Sequence, residues 1–507
     1  MGLLNELVNI QLILRKHLSN GYLSQKLSII GLQSEEYNRH PEKYTYRAKR
    51  HSIQESIYGV DSDMSAIDIA RLRLWLSLVV DEEDFDNIET LPNLDYKIVC
   101  GNSLIGFPEN WNSPAFERIE KLKDKFFAET DVEIRKTYKM EIDKEIADRL
   151  SSSQRIFGYQ VNFDFKLFFS EVWREKEGFD IVIGNPPYVR VQNLPHSEID
   201  FYKNHYDFAW KRIDISILFF EKALNIGNKK TTISFISSNQ FLTTEYGLKA
   251  RHYLSKNRNV FKIVDFGSLP IFQNALTYVD IFVLSKQAND SIEYFKINTL
   301  PFNISNNFIK IISSELSENI WILESSNEID ILNKIKKDSI PLSSFAKSWA
   351  GIITGYDDLL LFNNDKLPDY IESDLLVPVL RAQSCDRYTY ANVTKYAFYP
   401  YYFENNKTEL IPLDRIKAQY PKSYNFIMEN ENLLKARKDS RITMGDRIGW
   451  YGLIRFGTID KFNETKIVSP GEVKRNKFAI DKSKSAFSCA RVFQLILFQI
   501  PSIYLNY

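Results

Sequence analysis

Cysteine is scarce. The three present, Cys100, Cys385 and Cys489, lie far apart with no Cys-x-x-Cys or Cys/His spacing. That argues against a disulfide framework and against a zinc site, so no metal centre is expected. Net charge is absent too. The 65 Lys and Arg balance 65 Asp and Glu, so any nucleic-acid surface has to be local. No long apolar run occurs. The most apolar stretch, Val492 to Leu505, is broken by Gln494, Gln499 and Pro501 and is shorter than the ~20 residues of a membrane helix. The N-terminus lacks a signal-peptide pattern. These absences point to a soluble chain of a reducing cytoplasm with no membrane partner. One further absence is a Gly-x-Gly, which does not occur before residue 60.

What is present is enough for two or more hydrophobic cores: 507 residues, 44% of them hydrophobic. An apolar run starts at Phe179 and ends abruptly in Asn185-Pro186-Pro187-Tyr188. The run reads as a buried strand, and two prolines cannot continue a sheet ladder. The polar tetrad therefore sits just past the carboxyl end of a strand, where open α/β sheets bind ligands. By chance such a tetrad would appear in a chain of this length with odds on the order of one in a thousand. Its chemistry is specific. A planar amino group conjugated to a ring is a poor nucleophile, and two acceptors around it can aim its lone pair. The Asn185 side-chain oxygen is one acceptor, and the Pro186 carbonyl, stiffened by the Pro-Pro backbone, is the other. Tyr188 offers a ring on which a heterocycle can stack. Read as structure alone, the segment is a strand followed by a surface turn.

Alternating elements surround the tetrad. Residues 3–18 read as an amphipathic helix, Ser56–Val60 as a strand and the residues up to Val80 as a long helix. Tyr96–Cys100 reads as another strand. Residues 115–155 are rich in Lys, Glu and Asp at helical spacing, as in a charged hairpin serving as a solvated spacer. Helix Asp214–Ile226 and strands Thr232–Ser237, Lys262–Phe266 and Tyr278–Leu284 follow. The pattern predicts an α/β fold with a doubly wound, Rossmann-like sheet. Beyond about residue 320 the chain turns irregular and aromatic, which suggests a second domain. Asp61 ends the first strand, where a carboxylate can accept both hydroxyls of a ribose. Asp63, two residues on, suits the N-cap of the next helix.

On the tetrad and these neighbours the chain resembles the gamma-class DNA amino-methyltransferases acting on adenine. It is most similar to the methylase and target-recognition part of type IIG restriction–modification enzymes, and nearly as similar to phage-exclusion methylases. The resemblance covers nearly the whole chain. It implies methyl transfer from S-adenosyl-L-methionine to the exocyclic amine of a flipped adenine in double-stranded DNA. Asn185, Pro186, Pro187 and Tyr188 are then catalytic. Asp61 holds the cofactor ribose, and Asn102 with Ser103 contacts the cofactor adenine. Tyr246, or alternatively Phe241, faces the base opposite Tyr188. The implied layout is residues 1–114 and 156–320 for the methyltransferase domain, 115–155 for the helical insertion and 321–507 for target recognition, with an early stop or frame change after Phe493.

The resemblance also exposes the largest departure. Family members open with a strand and a glycine-rich cofactor loop, and here Met1 falls where the following helix is already under way. The expectation is a split subunit, a truncated frame or a degenerate copy. As a split subunit it needs an N-terminal partner chain carrying the loop, a nuclease or both. In the recognition half, basic residues interleaved with aromatics suit a nucleic-acid surface. The DNA candidates are Arg251, Arg437, Lys438, Arg441, Arg447, Trp450, Lys474 and Arg475. Glu472-Val473-Lys474 formally fits a nuclease Glu-x-Lys, but no strand-borne Asp precedes it.

Overall fold

The computed structural model describes residues 2–497 apart from 16, 18–19, 42, 81–92, 109–113, 190–193, 212–213, 273–277, 301–307, 324–325, 338, 345, 382–383, 388–392, 406, 440–441, 458, 471–474, 476, 483–485 and 488–491. Two compact units divide at residues 331 and 332. Among the described residues no helix is long and apolar enough to cross a membrane, and no cluster of His, Cys, Asp or Glu could hold a metal.

Among its described residues the first unit holds eight strands: β1 Gly59–Asp61, β2 Ile98–Cys100, β3 Phe179–Gly184, β4 Gly227–Ser238, β5 Val260–Asp265, β6 Val279–Ser285, β7 Ser291–Lys296 and β8 Ile309–Ile312. Six form one sheet in the order β3-β4-β6-β5-β7-β8, and β1 pairs with β2 in a separate parallel pair. The sheet is mixed. β3 and β4 run parallel, as do β5 and β7, whereas β6 runs antiparallel to both β4 and β5. The α/β class follows the sequence pattern. The antiparallel strand does not: only residues 266–278 separate β5 from β6, near the least that a parallel crossover requires.

The core gathers on the helix Ile215–Ile226. Asp214 caps it by accepting from the Ser216 amide at 3.0 Å, and Ile217, Phe220 and Leu224 are buried. The Phe220 ring lies 5.4 to 5.6 Å from those of Phe235, Phe241 and Phe282. Each such side chain contributes about 1.5–3 kcal/mol of burial. Element ends differ from the sequence reading for local reasons. Tyr96 takes φ 62° and donates to Asp143 at 2.6 Å, so the strand expected from Tyr96 begins at Ile98. The Ser56 amide still bonds back to Ser52, so β1 begins only at Gly59.

The charged segment forms two packed helices, Pro114–Ala128 and Val132–Phe157. It is more than a solvated spacer. Ile119, Leu122, Phe126, Ile142 and Ile146 join Tyr96 and Phe107 in one apolar cluster, and the buried Lys123 pairs with Glu171 at 3.0 Å.

Among its described residues the second unit holds two four-stranded sheets and two two-stranded pairs, Tyr401–Glu404 with Lys407–Leu410 and Lys438–Asp439 with Ile442–Thr443. One four-stranded sheet runs Leu361–Asn363, Lys395–Phe398, Leu376–Leu380, Ala486–Phe487; the other Ala479–Asp481, Lys466–Pro470, Val492–Leu497, Ala346–Ala350. Within it Lys466 and Asp481, both wholly buried, pair at 2.8 Å.

Candidate active site

A cavity of about 560 Å³ opens at the carboxyl ends of β1 and β3. Asp61, at the end of β1, Ser103, just past β2, and Asn185 and Pro186, just past β3, all line it. The strand–turn logic accounts for the arrangement. The apolar run pairs with β4 up to Gly184↔Phe235, and the prolines then end the ladder. Past the tetrad, Val189 accepts the Ile215 amide at 3.4 Å, which ties the turn to the start of the core helix.

Asn185 is exposed and Pro186 buried. The Tyr188 hydroxyl donates to Asn185 Oδ1 at 2.8 Å and approaches the Ile236 carbonyl at 3.2 Å. One lone pair of the Asn185 oxygen is thus engaged and held, and the other remains for an incoming amino group. Tyr188 is half-buried, with its ring 5.9 Å from that of Phe272. Burial, with Asp214 nearby, pushes its phenol up to about 12, so it stays a neutral donor. Pro187 is exposed and is not among the residues lining the cavity.

On the other wall, Asp61 Oδ1 accepts the Asp63 amide at 2.9 Å. Its second oxygen has no protein partner among the described residues. Asp63 caps the next helix through Ser65, as its position suggested. Asn102 lies outside the cavity lining. Its Oδ1 closes a turn on the Leu104 amide at 2.9 Å, and its side chain meets the Tyr202 hydroxyl. Tyr246 packs against the main core and is also absent from the lining, while Phe241 is core outright at 2% exposure. Sequence reasoning missed Phe165, Phe169 and Lys222, which do line the cavity. The aromatic density of residues 163–169 was the available signal.

Two carboxylates face each other on neighbouring strands of the sheet, Asp280 buried and Asp265 half-buried. Asp280 on β6 pairs in register with Asp265 on β5 and accepts from the Asn239 amide group at 3.0 Å. Burial first, then Asp265, pushes the Asp280 carboxyl up to about 8. Between the ordinary value near 3.9 and about 8, the folded chain holds a proton that the unfolded chain has released. Stability therefore falls as pH rises through that window, by up to about 1.4 kcal/mol per pH unit for one proton. Asp280→Asn keeps the shape and removes the titration. Urea midpoints at pH 5, 7 and 9 should show a flatter dependence for this variant and a gain over the parent at pH 9. An unchanged slope would exclude the pair as its source.

Residues 55–272 match the model of the Eco57I restriction-modification methylase. This segment is an Eco57I-like methylase domain. The match fits the resemblance drawn from the tetrad and its neighbours. The type II restriction enzyme and methyltransferase RM.Eco57I of Escherichia coli is 24% identical over 504 residues, 92% of this chain and 45% of that protein. The type II methyltransferase M.BstVI of Geobacillus stearothermophilus is 25% identical, covering 57% of this chain and 55% of its own length. The chain thus spans about half the length of these relatives. The solved type IIL restriction–modification enzyme MmeI in complex with DNA has a TM-score of 0.47 at 10% identity, over 97% of this chain and 62% of that one.

Outside the cavity, the basic candidates separate by environment. Arg251, at the end of the methylase domain, is 3% exposed and donates to the carbonyls of Phe241, Thr244, Glu318 and Asn319. In the second unit Arg437 is 5% exposed and donates to Leu434, Thr354, Trp450 and Gly452. The sequence reading of both as DNA contacts is corrected here, because their guanidinium donors are engaged inside the protein. Arg447 is half-buried and paired with Asp439 at 2.9 Å. Trp450 carries Lys435 over its ring at 4.9 Å. Lys438 and Arg475 are exposed. Arg441, Lys474 and the formal nuclease triplet lie outside the described residues.

Proposed function

We propose that this chain is the methylating part of a restriction–modification or phage-defence system of the cytoplasm. In this reading it transfers a methyl group from S-adenosyl-L-methionine to the exocyclic amine of adenine in duplex DNA. The observation that carries the reading is the one cavity shared by Asp61, Ser103, Asn185 and Pro186. Residues 332–507 are the target-recognition part, with Lys438 and Arg475 as phosphate contacts.

The residues present fit one side of the cofactor. Asp61, with an oxygen free of protein partners, would hold the ribose, and Ser103 would contact the adenine side. When bound, the cofactor supplies an electrophilic methyl group. The chain's own work is positioning, worth several powers of ten in rate where a near-attack geometry is held. Asn185 Oδ1 and the Pro186 carbonyl accept hydrogen bonds from the two N–H groups of the amine, which turns the nitrogen lone pair out of conjugation. Tyr188 keeps the amide in that orientation. No residue need act as a general base before the methyl moves, because the amine becomes acidic only after alkylation.

A second reading is a recognition subunit that is incomplete as a catalyst, supported by a lining whose glycines among the described residues, Gly59 and Gly184, lie within strands and not in a turn. Transfer of tritiated methyl to duplex DNA, followed by nucleoside chromatography, separates the two. The first reading expects N6-methyladenine from the chain, alone or together with the proteins that copurify with it. N4-methylcytosine would redirect the target, and no transfer in any combination would favour the second reading.

A further inference from the structure

The turn after β2 is held by residues remote from it in the chain. Residues 102–107 follow Ile98–Cys100 and bring Ser103 into the cavity. One hydrogen bond is internal to the turn: Asn102 Oδ1 accepts the Leu104 amide at 2.9 Å. The Tyr206 hydroxyl, 102 residues away, donates to the Leu104 carbonyl at 2.6 Å. The Tyr159 hydroxyl donates to the Gly106 carbonyl at 3.2 Å, and Asp164 Oδ2 accepts the Phe107 amide at 3.1 Å. The Asn102 side chain also bonds the Tyr202 hydroxyl, which donates to Glu198 at 3.4 Å.

Two of these hydroxyls come from one helix. Tyr202 lies on His196–His205, the helix that follows the tetrad, and Tyr206 is its C-cap. Both rings are buried in the main core with Leu104, and their centroids lie 6.1 Å apart edge to face. Packing needs only the rings. A buried hydroxyl costs desolvation unless it finds a partner, and here both partners sit in the turn. The footing is firm: Glu221 on the core helix Ile215–Ile226 accepts the Asp207 and Phe208 amides at 2.9 and 2.8 Å. The first amide of that core helix also bonds Val189 beside the tetrad. The turn and the tetrad thus share one reference helix.

We propose that Tyr202 and Tyr206 are positioning residues for cofactor binding. Their hydroxyls fix the turn that carries Ser103 and so set the adenine side of the cavity relative to the tetrad. Neither is among the residues lining the cavity, so both act through the turn. Asn102 gains a role in the same way: it shapes the turn from within while Tyr202 holds it from outside. That the ligand is S-adenosyl-L-methionine rests on the methyltransferase reading; the brace stands on the hydrogen bonds alone.

Tyr206→Phe keeps the ring and removes the donor. Equilibrium dialysis of S-adenosyl-L-homocysteine against the full chain, with the proteins that copurify with it, should show binding weakened about tenfold, the worth of one buried hydrogen bond. Tyr202→Phe should lose less, since Asn102 keeps its bond to Leu104. In Tyr206→Phe hydrogen exchange should rise over residues 102–107 and stay unchanged over Ile215–Ile226. Methyl transfer should show a raised KM for the cofactor, with kcat within about twofold because the tetrad is untouched. Ser103→Ala separates positioning from general loss of packing. If Tyr206 works through the turn, the double variant should bind no more weakly than the weaker single variant. Multiplied losses would overturn the proposal, as would unchanged binding in Tyr206→Phe or exchange that rises throughout the core helix. A wild-type chain that bound no S-adenosyl-L-homocysteine would overturn the cofactor reading and the proposed role with it. Exchange at residues 102–107 would then still report the brace, so the two failures are distinct.

Discussion

If the proposed methyl transfer holds, Asn185→Ala should lower it by about 10²–10³-fold, the cost of removing one aimed hydrogen-bonding group at a reacting centre. The side chain projects from an exposed turn, and its only described hydrogen bond is the one from Tyr188. Its removal therefore costs little stability. DNA affinity should stay within about twofold, because phosphate contacts dominate binding and the proposed ones, Lys438 and Arg475, lie outside the tetrad. Single-turnover transfer of tritiated methyl with duplex in excess reads the chemical step, and a filter-binding titration reads affinity. Retained transfer would remove Asn185 from the reaction. A parallel loss of affinity would make it a binding residue instead. Tyr188→Phe provides the graded control: the acceptor stays but its orientation is no longer held, so the loss should be smaller than in Asn185→Ala.

Arg437→Ala should destabilise the second unit by about 3–5 kcal/mol. Four backbone carbonyls lose their donor in a site that is 5% exposed. Each buried carbonyl left without a donor costs about 1–3 kcal/mol before water or relaxation offsets it. Burial already pushes the guanidinium down to about 10, and it stays charged at neutral pH. Arg437→Lys should recover only part of the loss, because an ammonium cannot reach four carbonyls as the planar fork does. Hydrogen exchange of residues 431–453 in the full chain reads the effect. Lys438→Ala, one residue on and exposed, should leave that exchange unchanged and instead lower the salt dependence of DNA binding by about one unit of slope. If Arg437→Ala left the exchange unaltered and changed the salt slope, the assignments of the two residues would be reversed.

These adjacent residues mark where sequence reading stops. In the sequence, Arg437 and Lys438 belong to the same basic run, and charge with interleaved aromatics describes both equally. The carbonyls that claim Arg437 include Thr354, 83 residues away. Arg251 is claimed in part by Glu318 and Asn319, 67 and 68 residues away. No local pattern carries that information. The Asp265–Asp280 pair was invisible for the same reason: strand register brings the two carboxylates together. Asn102 illustrates a milder case, since the turn was legible but the direction of its side chain was not.

What the sequence determined by itself was local. A strand ending in Asn-Pro-Pro-Tyr, a carboxylate at the end of Gly59–Asp61, the Asp63 cap and the apolar face of the helix Ile215–Ile226 all depend on near neighbours, periodicity and backbone restrictions; that the strand is buried did not hold, since Ile181 and Ile183 are half exposed. Tertiary structure alone decided which cations are left for a ligand and that β6 runs antiparallel. It also decided that β1 and β3 line one cavity. The reason is common to all three: burial, pairing and solvent access depend on residues distant in the chain, which only the folded backbone brings together.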